Sequence, residues 1–258
     1  MRVAVIIPAR NEALALGQVL SEIPTEAAPS SLPRKCRGAA ATRPSEAVHH
    51  IIVVDNGSTD GTAQVAVETG AQVVSEPTPG YGRACLAGMA ALGSDIDTIV
   101  FLDGDHSDYP EEIPMLLAPI ERGVADLVIG SRVAKAQHGS LTFQQRLGNR
   151  LACWLMRRRF GVRYTDLGPF RAIRRTALER LHMTDRAFGW TVEMQAKAAV
   201  RGLRIVEVPV RYRRRIGRSK ISGTLTGTVR AGWAIVTTVL CVAAQPNTQP
   251  SGEACADS

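Results

Sequence analysis

At 258 residues the chain has room for one α/β domain with a single sizeable core. Apolar residues make up 45% and charged residues 21%, the balance of a soluble globular protein rather than a disordered one. A net charge of +7 and a pI near 9.5 ask for an anionic partner: nucleic acid, an anionic membrane or a phosphorylated substrate. Aromatics are only 5% and none interleaves with a basic stretch as a base-stacking platform would need, so no nucleic-acid partner is expected.

The opening MRVAVIIPARNE runs from a short apolar stretch straight into a turn, unlike a signal peptide. In chain order, Val3–Ile7 reads as a buried strand, Glu12–Glu22 as a helix and His50–Val54 as a second strand. Between them, residues 24–48 are rich in Ala, Pro, Ser and Arg without periodicity, and read as a flexible insertion. A helix over Thr62–Thr69, a strand over Gln72–Ser75, a helix over Arg83–Leu92 and a strand over Thr98–Leu102 follow. Asp108 with Glu111 matches a capping box opening a helix to Glu121, and Leu127–Gly130 reads as a fifth strand. This alternation is the signature of βαβ units and a parallel sheet. Beyond it come a helix over Leu141–Phe160 with apolar and basic faces, a strand over Gly168–Ile173, a helix over Val192–Val200 and an alternating strand over Arg204–Tyr212. The loop RRRIGRSKISGT leads to an apolar helix whose core is Ala231–Ala244, too short to cross a bilayer but able to lie on a membrane or mediate dimer contacts. Residues 246–258 read as a disordered tail. The cysteines (Cys36, Cys85, Cys153, Cys241 and Cys255) are scattered, without CxxC spacing, and fit a reducing cytosol rather than a disulfide framework or a zinc site.

Ligands of open α/β sheets bind outside the carboxyl ends of the strands. Three carboxylate-bearing segments fall there: PARNE (Pro8–Glu12), VDNGSTDGT (Val54–Thr62) and FLDGDHSD (Phe101–Asp108). A single Asp at a strand end is usually a helix cap, but three such segments at one sheet edge point to a ligand. Asp103-x-Asp105 is the sharpest signal, because two carboxylates two apart on an extended segment can reach one Mg²⁺ or Mn²⁺, completed by substrate phosphates and water. Ser107 either approaches that metal or caps the next helix, and the cap is preferred. The glycines after Asn56 and Asp60 read as turns, since neither GxGxxG nor GxxxxGK[ST] is present.

PARNE, VVDNGSTDGT, GYGRA, FLDGDHSDYP, GSR, TDLGPFRAIRR and GRSKISG occur in the order and spacing of family 2 glycosyltransferases. The chain resembles in particular their dolichol-phosphate mannose synthase and polyprenyl-phosphate glycosyltransferase branch, from Val3 to Ile235. The resemblance implies a GT-A fold over residues 1–235: a Rossmann-like α/β domain with a mixed, mostly parallel sheet flanked by helices. Residues 236–258 are left as the helix end and tail. It implies that Pro8, Ala9, Arg10 and Glu12 border the base and ribose, that Asp55 bonds the base, and that Gly80–Arg83 and Gly104 lie near the nucleotide. Asp103 would face the ribose and metal, and Asp105 would be the principal metal ligand. The branch often carries Gln where this chain has Ser107, which leaves a third ligand open. Arg132 would meet a phosphate, Arg146 and Asn149 would sit on the acceptor side, and Arg214, Ser219 and Lys220 would belong to a basic loop closing over the phosphates. Glu193 and Asp166 are the candidate bases, although a phosphate acceptor is already ionised and needs none. The expected activity is inverting, metal-dependent transfer of mannose or glucose from GDP-mannose or UDP-glucose to a polyprenyl phosphate, by a cytoplasmic protein bound peripherally to the membrane. The alternatives are a soluble or cell-envelope acceptor, or a non-catalytic nucleotide-sugar binder.

Overall fold

Alternation along the first strand sets the layering. Val3, Val5 and Ile7 point to one side of the sheet and Ala4 and Ile6 to the other, and all five are fully buried. A strand buried on both faces needs helices on both, and the computed structural model, which describes residues 1–25, 48–217 and 225–244, provides them. The elements are β1 (Val3–Ala9), α1 (Ala13–Glu22), β2 (His50–Asp55), α2 (Thr62–Glu68), β3 (Gln72–Ser75), α3 (Tyr81–Ala90), β4 (Thr98–Phe101), α4 (Ile113–Glu121), β5 (Leu127–Ala136), α5 (Phe143–Phe160), β6 (Arg171–Arg174), α6 (Arg175–Leu181), α7 (Trp190–Val200), β7 (Ile205–Tyr212) and α8 (Leu225–Ala244).

The seven strands lie in the order β3-β2-β1-β4-β6-β5-β7. Every pairing is parallel except those of β6, which runs antiparallel to both β4 and β5. The mixed, mostly parallel sheet expected from the resemblance is therefore present. On one face, Leu16, Val19, Ala66, Leu116 and Leu117 of α1, α2 and α4 cover Val3, Val5 and Ile7. On the other, α3 packs on β1 and β2 and α6 on β6, α7 brings Trp190 to Phe101 edge-on at 6.0 Å, and α5 and α8 pack against α7 in the same core cluster.

Several boundaries move for physical reasons. β1 and β2 extend to Ala9 and Asp55 because Pro8–Val54 and Ala9–Asp55 still pair. β5 runs past Gly130 to Ala136 beside β7, with an irregularity between Ser131 and Lys135. α6 is a short helix that the sequence pattern did not reveal. The capping box expected at Asp108 is absent: the chain turns through a 3-10 segment, Pro110–Glu112, with Tyr109 at its cap position, and Asp108 points into the interior. The capping box forms instead at Thr142, whose hydroxyl accepts from Gln145 N while the Gln145 side chain accepts from Thr142 N. The mouth of the 24–48 excursion is closed by a Val48 N–H donated to Pro24 O at 2.8 Å; residues 26–47 and the tail lie outside the described residues.

Candidate active site

The chain leaves β1 toward β2 on one side, and after β3 returns to β4 on the other side of β1. The strand order thus reverses at β1, where crevices open at carboxyl ends of strands. A cleft of about 410 Å³ sits there, within the size range of ligand pockets. Pro8, Ala9, Arg10 and Glu12 form one wall, and Asp103, Gly104 and Asp105 lie along it after β4. Gly80 and Tyr81, at the start of α3, and Phe188, before α7, complete the rim.

Short polar contacts hold the first wall. Asn11, at a left-handed φ of 52°, accepts from Thr59 N at 2.7 Å, and Glu12 N donates to Thr62 Oγ1 at 2.9 Å. Asp60 accepts from Ala13 N and Thr62 N, so one carboxylate serves the starts of both α1 and α2. The glycine-bearing segment 56–61 is therefore a brace for PARNE, in agreement with the turn reading. Asp55 accepts from Ser58 N at 3.2 Å and does not line the cleft; its neighbour Asn56 does. Asn56 donates to Glu76 O and Thr78 O and accepts from Gly80 N, fixing the approach to α3. The Gly82 and Arg83 N–H groups donate to Ala187 O and Arg186 O, so that helix start is closed by protein rather than open to a phosphate. Gly82 is required there, since a Cβ would sit 2.1 Å from Asp185 O. Arg83 itself stands outside the cleft lining.

The acidic segment carries the electrostatics. Asp105 is 4% exposed; its Oδ1 accepts from Ser107 N at 2.9 Å and Ser107 Oγ at 2.5 Å, and its Oδ2 meets Arg215 at 2.9 Å. Ser107 thus serves Asp105 and does not cap the next helix. Asp103 accepts from the Tyr81 hydroxyl at 3.1 Å. Burial, then the neighbouring Asp105 charge, pushes the Asp103 carboxyl up to about 7. Asp108 is 1% exposed with neither oxygen hydrogen-bonded, and burial together with Asp103 and Asp105 holds it well above the usual carboxylate range. Burial without a partner favours the neutral form of such a group.

Arg215 is the cationic residue that the sequence reading missed. Arg213 N donates to Ser107 O and Ile216 N to Asp105 O, so the segment after β7 lies along the acidic loop. Arg213 is anchored to Glu22 at 2.6 Å and its guanidinium stacks on Tyr109, whose ring also carries Arg211. With that arm fixed, Arg215 reaches Asp105 and, at 3.4 Å, Glu12, while its Nε is buried without a partner. Arg214, the residue picked from sequence, is exposed and turned toward Gly139. Alternation along the extended segment carries the difference: Arg213 and Arg215 face in, and Arg214 faces out. Ser219 and Lys220 lie outside the described residues.

Two candidate bases are held in other contacts. Asp166, 1% exposed, binds Arg132 through both oxygens at 2.7 Å and accepts from Arg132 N and Leu167 N. Burial opposes its ionisation, yet Arg132 and these N–H groups keep its carboxyl below the usual range. Arg132 is committed to that pair and to the Tyr212 ring rather than lining the cleft. Glu193, 3% exposed, accepts from Thr184 N, Thr184 Oγ1 and Asp185 N and pairs with Lys197 at 2.6 Å. Despite burial, those partners hold its pKa down. These contacts pin Thr184 and Asp185, at the start of the loop whose Phe188 lines the cleft. Asn149 donates to Thr165 O and accepts from Leu167 N, while Arg146 is exposed further along α5.

Among the described residues no group of three or more His, Cys, Asp or Glu is arranged to hold a metal. The two cleft carboxylates nevertheless fit a hard divalent cation that takes the rest of its ligands from phosphate and water. They lie close enough for the Asp105 charge to raise Asp103, and a cationic guanidinium already faces Asp105.

Sequence comparison gives the family. The profile described as Glycosyl transferase family 2 matches residues 4–182. An uncharacterized glycosyltransferase of Mycobacterium tuberculosis is 37% identical over 230 residues, covering 89% of this chain and 94% of that protein. An undecaprenyl-phosphate mannosyltransferase of Micrococcus luteus is 31% identical over 243 residues, covering 88% and 90%. Among solved structures, a glucosyl-3-phosphoglycerate synthase of M. tuberculosis in complex with Mn²⁺, UDP and phosphoglyceric acid superposes with a TM-score of 0.70 at 23% identity, covering 96% of this chain and 80% of that one. That likeness carries the GT-A fold. The chain belongs to glycosyl transferase family 2, as a hexosyltransferase related to those named for polyprenyl phosphates.

Proposed function

We propose that the protein transfers mannose or glucose from a nucleoside-diphosphate sugar (GDP-mannose or UDP-glucose) to a polyprenyl phosphate, with inversion and with Mg²⁺ or Mn²⁺. The observation that carries this reading is the meeting of Asp103 and Asp105, the latter paired with Arg215, in a cleft that PARNE also lines. Support for the acceptor comes from the undecaprenyl-phosphate mannosyltransferase relative.

In this reading the base and ribose lie between Pro8–Glu12 and the Gly80–Tyr81 rim, with the diphosphate over Asp103 and Asp105. Those two carboxylates would hold the divalent cation, which supplies Lewis-acid neutralisation of the diphosphate. Arg215, whose buried Nε lacks an acceptor, turns from Asp105 to a diphosphate oxygen. An acceptor phosphate oxygen forms a bond to the anomeric carbon as the carbon–oxygen bond to the donor diphosphate breaks, and the electron pair leaves with the diphosphate. The acceptor is an ionised phosphate, so no proton has to be removed. That matches a site in which Asp166 and Glu193 are both tied into ion pairs. The lipid tail of the acceptor puts the working enzyme at a membrane surface, and scattered cysteines fit its cytoplasmic side.

The test is a screen of radiolabelled nucleotide sugars against short-chain polyprenyl phosphates, with and without Mg²⁺ or Mn²⁺. Metal-dependent label in the organic phase is expected. Transfer confined to water-soluble acceptors would overturn the acceptor assignment.

A further inference from the structure

Helix α5 carries an apolar face that the fold does not use. Ala152 and Met156 are fully buried in the core, on the side where α5 packs against α7 and α8. On the opposite side Phe143, Leu147, Leu151 and Trp154, spaced four, four and three apart, form one stripe and are 76%, 58%, 46% and 58% exposed. α8 packs beside α5. An outward helix face is ordinarily polar, and a contiguous apolar patch of this kind marks an interaction surface.

Charge identifies the partner. α5 holds Arg146, Arg150, Arg157, Arg158 and Arg159 and no acidic residue. The last three also complement the helix C-terminus, so the argument rests on Arg146 and Arg150, which lie within the helix and flank the stripe. An apolar stripe edged by arginine is the pattern of a helix lying in the interface of an anionic membrane. The same helix is tied to a neighbour of the site: Asn149 binds both sides of the Thr165–Leu167 turn, whose Asp166 holds Arg132, a charge close enough to act on Asp103. The apolar helix read from sequence as able to lie on a membrane or mediate dimer contacts, α8, is in part buried, with Val239 and Val242 packed into the core.

We propose that α5 seats the protein on an anionic membrane, the Phe143–Trp154 stripe entering the boundary between headgroups and acyl chains and its arginines meeting lipid phosphates. This rests on the polyprenyl-phosphate reading for its orientation of the site toward lipid. The full-length protein is sedimented with phosphatidylglycerol-containing vesicles and with pure phosphatidylcholine vesicles. The wild type pellets with the former and stays in solution with the latter. Phe143→Ser/Leu147→Ser/Trp154→Ser loses at least about tenfold in vesicle binding. Arg146→Glu/Arg150→Glu abolishes the preference for the anionic lipid, and brominated phosphatidylglycerol quenches a tryptophan signal that disappears in Trp154→Phe. Wild-type vesicle binding by the stripe variant would overturn the proposal. So would a wild type that ignores vesicles but changes oligomeric state when the stripe is replaced, since that outcome makes the face a contact between protein copies. Vesicle binding is read without turnover, so failure to glycosylate a detergent-solubilised short-chain polyprenyl phosphate counts against the functional reading alone.

Discussion

Replacing Arg215 separates the structural assignment of the basic loop from the one legible in sequence. Arg215→Met removes the guanidinium 2.9 Å from Asp105 and keeps an apolar stem of similar length. Two consequences follow from one lost charge. Without metal, Asp105 keeps its two Ser107 bonds but faces Asp103 without its direct ion-pair partner, and Arg132 is left as the other described guanidinium acting on Asp103. The cost of unpairing this partly exposed contact is about 1–3 kcal/mol, between the values for surface and buried pairs. For a chain of this size that lowers Tm by about 3–9 °C. Excess Mn²⁺ should recover most of the loss, because the cation replaces the missing charge. In turnover, losing one preorganised donor to a developing diphosphate charge costs about 10²–10³ in kcat. Arg214→Met, at an exposed position facing Gly139, should change kcat by less than about threefold. Thermal scans in EDTA and in Mn²⁺, with steady-state kinetics of both variants, make the comparison. Near-normal kcat in Arg215→Met beside a crippled Arg214→Met would refute the placement of the loop.

Other outcomes follow from the same geometry. Asp103 is raised from 3.8 to about 7, so between those values the folded chain holds a proton that the unfolded chain has released. Metal-free stability should therefore fall as pH climbs from about 4 to about 7; Asp103→Asn should flatten that slope in denaturant titrations, and an unchanged slope would remove Asp103 as its source. Asp108, also raised, should tolerate Asn with little loss of stability at neutral pH, whereas a drop above about 3 kcal/mol would show that it is ionised and paired. Glu193→Ala strands Lys197 and frees the 184–188 loop, and should cost about 3–5 kcal/mol while raising the donor KM more than it lowers kcat. A pure kcat defect in a stable Glu193→Ala enzyme would restore Glu193 as a base.

Much of the site was legible because its parts are local. Apolar runs placed the strands of the sheet near their observed positions, and Asp103-x-Asp105 follows directly from the end of β4. Long-range placement was not legible. The pattern Asp108-x-x-Glu111 resembles a cap, but the interior that Asp108 enters is built by β5, β7 and the Arg213 arm, none adjacent in sequence. Likewise RRR after β7 offers three equivalent arginines, and only the bonds from Arg213 N and Ile216 N to the acidic loop decide that Arg215 faces the cleft. Asp166 looked available as a base because Arg132, in the GSR motif, was assigned to a phosphate instead, and Glu193 because its partner Lys197 carries no motif. The stripe on α5 was hidden for another reason, since an amphipathic pattern does not say which apolar residues the core will take.

The most direct measurement is calorimetric binding of UDP and GDP to the wild type and to Asp105→Asn, each with Mn²⁺ and with EDTA. If Asp103 and Asp105 hold the cation under the diphosphate, one nucleotide binds the wild type only with Mn²⁺, and the variant loses on the order of a hundredfold in affinity while its Tm in EDTA is maintained. Nucleotide binding by Asp105→Asn at wild-type strength with Mn²⁺ present would contradict it.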